Sequence, residues 1–220
     1  MRTDLVIEPT NSSIQLVAQA LEQGLLVVIP TDTVYGLAAK PTASAVAKLF
    51  QAKGRPETRP IPLLVADELS LPAVVAHWPH TAAVLAQAFW PGALTIIVQA
   101  QPELPTVITA DTGTVGVRIP ANDVAREVIH RAGGYLAVTS ANRSEEPPAL
   151  TAQVAAQTLG AHVAYVLDGG PTVGGVPSTV VVAEEHRVVI RRTGAVSFDS
   201  LQQTLNSGAP GTTLLLCEDI

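Results

Sequence analysis

A single cysteine, Cys217, among 220 residues excludes an intramolecular disulfide and any cysteine-based metal cluster. Charge is also scarce: with 13 Lys and Arg against 19 Asp and Glu, the formal net charge of −6 gives no global attraction to a phosphate backbone. Contact with nucleic acid would need a local basic patch, so weak binding at most is expected. No apolar run approaches the roughly 20 residues of a membrane span. The opening MRTDLVIEPTNSS carries charges and a proline where a secretion signal needs an apolar core, so a cytoplasmic location is expected. The nucleotide-binding patterns GxxxxGK[ST] and GxGxxG are absent, as are HExxH and GxSxG, and no histidine is assigned to metal or catalysis.

What is present is globular. A 47% hydrophobic content with 15% charged residues supports a buried core, while 17 prolines and 16 glycines point to many short connections. The length suits one domain. Ser12 and Gln15 resemble a capping box ahead of a helix that stops at Gly24. LLVVI at 25–29 predicts a strand covered on both faces, and PTDTVYGL leaves its end as a loop. Helices are then expected around 43–52, 81–89, 123–132 and 151–159, with strands near 61–66, 94–98, 115–119, 135–139 and 164–168. STVVV and RVVIRR form an antiparallel pair across EEHR at 184–187. The expectation is an α/β fold, a twisted mixed β-sheet flanked by helices, with residues 206–220 as a C-terminal tail or edge element.

Four polar clusters follow or precede apolar strands: Thr31-Asp32-Thr33, Arg118 in VGVRIP, Ser140-Ala141-Asn142, and Ser178-Thr179. Ligands collect at strand ends in open α/β sheets, so these segments can converge on one cleft, although Ser, Thr and Asn are also ordinary turn residues. KGRPETRP gathers Lys53, Arg55 and Arg59 within seven positions. Cations held by prolines suit polyphosphate, and a solvated helix end has the same composition. DGGPTVGG at 168–175 is glycine-rich without either nucleotide spacing and reads as a tight loop.

PTDTVYGL, KGRP, FWPGALT, VGVRIP, TSAN and PSTVV followed by RRTG stand in the order and approximate spacing of the YrdC-like family, which the chain resembles over about residues 10–205. The resemblance implies a catalytic domain over 1–205 with a concave cleft on its sheet. It also implies a Mg2+-dependent nucleotidyl transfer that forms threonylcarbamoyl-adenylate and pyrophosphate from L-threonine, bicarbonate and ATP. A separate threonylcarbamoyl transferase would then modify tRNA. By position, Thr33, Arg118, Ser140 and Ser178 would hold threonine, with Arg118 on its carboxylate. Lys53, Arg55, Thr114, Asn142 and Arg192 would surround ATP, joined by Arg59; Lys53 and Arg55 would stabilise charge on the triphosphate, and Tyr35 would line the cleft.

Three features depart from the family pattern. ETRPIPLLVAD places Arg59 near the position where many members have an asparagine and lacks their following histidine; RTG replaces RPG after Arg191; and 206–220 is short beside the additional domain of longer members. Two other functions share the scaffold, an RNA-binding or ribosome-assembly paralogue and a carbamoyl-adenylate-forming module.

Overall fold

The computed structural model describes residues 5–54, 59–172 and 174–217. β1 (Val6–Ile7) leads into α1 (Asn11–Glu22). The capping box is Thr10 with Ser13, two residues before the expected Ser12 with Gln15. Thr10 has the extended backbone an N-cap requires, whereas Ser12 already lies inside the helix. β2 (Val27–Ile29) and β3 (Gly36–Ala39) follow, then α2 (Ala43–Lys53). Gly54 closes α2 at φ 62, a left-handed conformation that glycine adopts without penalty.

β4 (Leu63–Val65) precedes a 3₁₀ turn (Glu68–Ala73), β5 (Val75–His77) and α3 (His80–Phe89). Next come β6 (Leu94–Ala100), the short α4 (Thr106–Thr109), β7 (Thr114–Arg118), α5 (Asp123–Arg131) and β8 (Tyr135–Ser140). α6 (Ala152–Leu159), β9 (Tyr165–Leu167), β10 (Thr179–Glu184), β11 (Arg187–Arg192), α7 (Phe198–Gly208) and β12 (Thr213–Leu216) complete the order.

The strands form one mixed sheet in the order β1-β9-β2-β3-β8-β4-β7-β6-β10-β11-β12, with β5 alongside β6. The expected βα alternation holds, but antiparallel pairing extends well beyond β10 and β11: β3 runs against β2 and β8, β4 against β8, and β6 against β7. The β10–β11 connection is only Glu185 and His186, shorter than EEHR, because pairing continues to Glu184 and Arg187. β3 falls where a loop was expected. Its sequence GLAA has little strand propensity, and burial of all four residues between β2 and β8 overrides it.

The boundary drawn at 205/206 falls inside α7, whose Leu201 and Leu205 are buried, and β12 adds to the sheet in parallel with β11. Residues 213–216 thus form an edge strand, the second of the two expected alternatives, and not a tail.

Both faces of the sheet are covered. Val27 and Ile29 pack with Val17 and Leu21 of α1 and Ile129 of α5, while Val28 between them points to the other cluster with Leu37, Leu49 and Leu63. This alternation explains why LLVVI is apolar without a break. Among the described residues no helix is long and apolar enough to cross a membrane.

Candidate functional site

Alternate residues of the central strands, among them Thr95 and Ile97, Thr114, Gly116 and Arg118, and Ser178 and Val180, line a cavity of about 450 Å³. Period-two spacing puts these side chains on one sheet face. The loop after β2 supplies Thr31, Thr33 and Tyr35, and the end of β8 supplies Ser140 and Asn142.

Arg118 is the most constrained of these groups, with its side chain only 6% exposed. Its Nε donates to the Gly92 carbonyl at 2.8 Å, Nη1 to Thr33 Oγ1 at 3.1 Å and Nη2 to Asp32 Oδ1 at 2.6 Å. The same Asp32 oxygen accepts the Ala121 N–H at 3.1 Å, joining the loop after β2 to the loop after β7. A guanidinium has five N–H donors, so two remain after these three bonds. Burial pushes the Arg118 pKa down and Asp32 opposes the shift, while nearby Arg192 adds to it. The group stays charged, since arginine does not lose its proton in proteins.

Arg192 is the second cation of the cavity. Its Nε and Nη2 donate to the Ser178 carbonyl at 3.2 and 2.8 Å, and Nη2 also reaches Ser178 Oγ at 3.1 Å. Ser178 Oγ in turn stands 2.9 Å from Thr95 Oγ1. Among the described residues no carboxylate forms an ion pair with Arg192, whose pKa burial also lowers. Of the described residues lining the cavity, Glu146 is the one acid. A buried arginine paired to one carboxylate, beside a second arginine with no such partner among the described residues, favours an anionic occupant.

Lys53 is 4% exposed and its ammonium donates to the carbonyls of Ser140 and Asn142, both at 2.5 Å, and to Asn142 Oδ1 at 3.3 Å. Asn142 Nδ2 donates to the carbonyls of Arg143 and Glu146 at 2.7 and 2.6 Å. Both residues expected around ATP are thus engaged in shaping the turn that carries Ser140. Helix α2 presents Lys53 to this turn.

The structure brings Thr33, Tyr35, Thr114, Arg118, Ser140, Asn142, Ser178 and Arg192 to one cavity. Arg59 is exposed and is not among its lining residues, although its neighbour Pro60 is. Arg55 lies outside the described residues. Tyr35 is fully buried and donates to the Gly170 carbonyl at 2.6 Å, so it anchors DGGPTVGG while lining the cavity. That loop packs closely on the TDT segment: a Cβ at Gly174 would sit 2.8 Å from the Asp32 carbonyl oxygen.

Sequence reasoning missed the roles of Thr31, Asp32 and Thr95. The signal available for Asp32 was its place beside Thr33 in a segment already singled out.

The family model described as telomere recombination, Sua5–yciO–yrdC, matches residues 19–194. A protein of Mycobacterium tuberculosis strain H37Rv is 40% identical over 191 residues, 86% of this chain and 88% of that protein. The threonylcarbamoyl-AMP synthase of Pyrococcus abyssi is 35% identical over 193 residues, and the chain spans 57% of its length. The crystal structure of P. abyssi Sua5 complexed with L-threonine superposes with a TM-score of 0.88 at 32% identity, over 96% of this chain and 61% of that one.

Proposed function

The chain belongs to the Sua5–yciO–yrdC family, and we propose that it is a nucleotidyltransferase making threonylcarbamoyl-AMP from L-threonine, bicarbonate and ATP. The observation that carries this reading is the pair of guanidiniums, the buried Arg118 and the more exposed Arg192, at one cavity lined by hydroxyl side chains. One cation suits a carboxylate and the other a phosphate, and Thr33, Ser140 and Ser178 match the polar groups of a hydroxy amino acid.

In the reaction, the threonine amine adds to CO2 derived from bicarbonate and loses a proton to give a carbamate. A carbamate oxygen then attacks the α-phosphorus of ATP, and pyrophosphate leaves with the electron pair of the broken P–O bond. The balance is threonine, bicarbonate and ATP giving threonylcarbamoyl-AMP, pyrophosphate and water. Holding the reactants together supplies much of the acceleration such a step requires.

Arg118 holds the threonine carboxylate. Arg192 stands beside the nucleotide with Thr114, and Lys53 and Asn142 act through the turn they hold. Arg55 and Arg59 remain, by the family resemblance, candidates for the triphosphate. Mg2+ enters as part of the Mg·ATP substrate, as is usual for this ion. The product passes in the cytoplasm to a separate transferase that acts on tRNA. With a net charge of −6 this chain itself binds tRNA weakly and in a salt-sensitive way.

Incubation with Mg·ATP, bicarbonate and single amino acids, with products identified by mass spectrometry, tests the reading. Threonine-dependent pyrophosphate release with a threonylcarbamoyl-adenylate product is expected. Equal turnover with threonine, valine and alanine would contradict it, and adenylate formation from carbamoyl phosphate alone would favour the carbamoyl-adenylate module.

A further inference from the structure

We propose that Asp32 is a positioning residue for amino-acid recognition, acting through Arg118 on the ligand carboxylate. The inference rests on the functional reading above and concerns a side chain that does not itself line the cavity.

The geometry separates anchoring from binding within one guanidinium. Three segments fix Arg118: the Gly92 carbonyl holds Nε, the Thr33 hydroxyl holds Nη1 and Asp32 holds Nη2. Bonds at all three nitrogens define the plane of the group, which a single contact would leave free to turn. Asp32 engages Nη2 through one oxygen only, so the ion pair is not the two-pronged arrangement that would occupy both terminal nitrogens. One N–H on each terminal nitrogen remains for a ligand.

Asp32 is itself held, because its Oδ1 also accepts the Ala121 N–H, and its side chain is 16% exposed. The carboxylate thus ties together the loops that deliver Thr33 and Arg118. Removing it leaves Arg118 charged and buried but free to tilt, and a misplaced fork costs binding to whatever it should grip.

A staple that only stabilised the two loops would be felt by both substrates, or by neither once the protein is folded. Calorimetric titration of wild type, Asp32→Ala and Asp32→Asn with L-threonine and separately with Mg·ATP distinguishes the two roles. Melting temperatures identify variants that are folded at the titration temperature. Asp32→Ala should weaken threonine by roughly tenfold or more while Mg·ATP stays within about twofold. Asp32→Asn, whose amide oxygen accepts the same two bonds, should recover threonine affinity to within about threefold of wild type. The inference is overturned if Asp32→Ala binds threonine as wild type does, if both ligands weaken in proportion, or if Asp32→Asn is as impaired as Asp32→Ala. A wild type that binds no threonine overturns the functional reading and this inference with it, whereas intact binding by wild type and Asp32→Ala alike overturns the inference alone.

Discussion

The hydroxyls of Thr31 and Thr33 stand 3.1 Å apart, and the Thr31 proton goes to the Val34 carbonyl at 2.6 Å, so Thr33 is the donor of this pair, sharing the Thr31 oxygen with the long contacts from the Thr33 and Val34 N–H groups at 3.2 and 3.3 Å. Thr33 Oγ1 also accepts from Arg118 Nη1, which leaves it only an acceptor position for a ligand. An amine or hydroxyl proton of the substrate meets that requirement. Thr31→Val should therefore release the Thr33 proton and raise the threonine KM about two- to tenfold, the equivalent of one net hydrogen bond. Thr31→Ser should behave as wild type. An unchanged KM in Thr31→Val would show that the polarity of Thr33 is immaterial.

Lys53 reaches three oxygens of the Ser140–Asn142 turn from a buried position. Lys53→Met keeps the stem and removes the ammonium, so these acceptors lose a charged donor. Stability should fall by about 1.5–3 kcal/mol, the range for hydrogen bonds to charged groups, in urea unfolding. Threonine turnover should fall with it, because the turn carries Ser140. Lost turnover at unchanged stability would instead assign Lys53 wholly to the triphosphate.

Burial and the neighbouring charge of Asp168 push the Tyr35 phenol up from 10.0 to about 12. In the unfolded chain the phenol ionises near its ordinary value, so the contribution it makes is fully present below pH 10 and is lost as the pH rises towards 12. Tyr35→Phe should be less stable near neutrality by about 1 kcal/mol, through loss of the bond to Gly170, yet less sensitive to alkali. Denaturant midpoints for both proteins across pH 8 to about 11.5 measure this. Parallel pH curves would contradict it.

The parts of this fold that were legible in the sequence are those where local pattern and tertiary demand agree. β2 announced itself as an unbroken apolar run because both of its faces are covered, and α5 because Val128 and Ile129 recur on one buried stripe. β3 and α7 were not legible. GLAA becomes a strand only because two neighbours demand one, and FDSLQQTLNSG buries just Leu201 and Leu205, too few to stand out beside its polar face. In the site, clusters at strand ends were readable as candidates because such ends converge in this class of fold. Which bonds those side chains make was not. Arg118 finds Asp32 86 positions away in the chain, and Lys53 finds Asn142 89 positions away, separations over which sequence pattern carries no geometry.

The central claim is that Arg118 grips the substrate carboxylate in this cavity, and calorimetric titration of Arg118→Ala with L-threonine and with Mg·ATP tests it most directly. Loss of one partner of a buried, hydrogen-bonded charge pair costs about 2–5 kcal/mol. Threonine affinity should therefore fall by at least about thirtyfold while Mg·ATP, for which Arg118 is not proposed as a contact, still binds. Threonine binding left intact in Arg118→Ala would contradict the account.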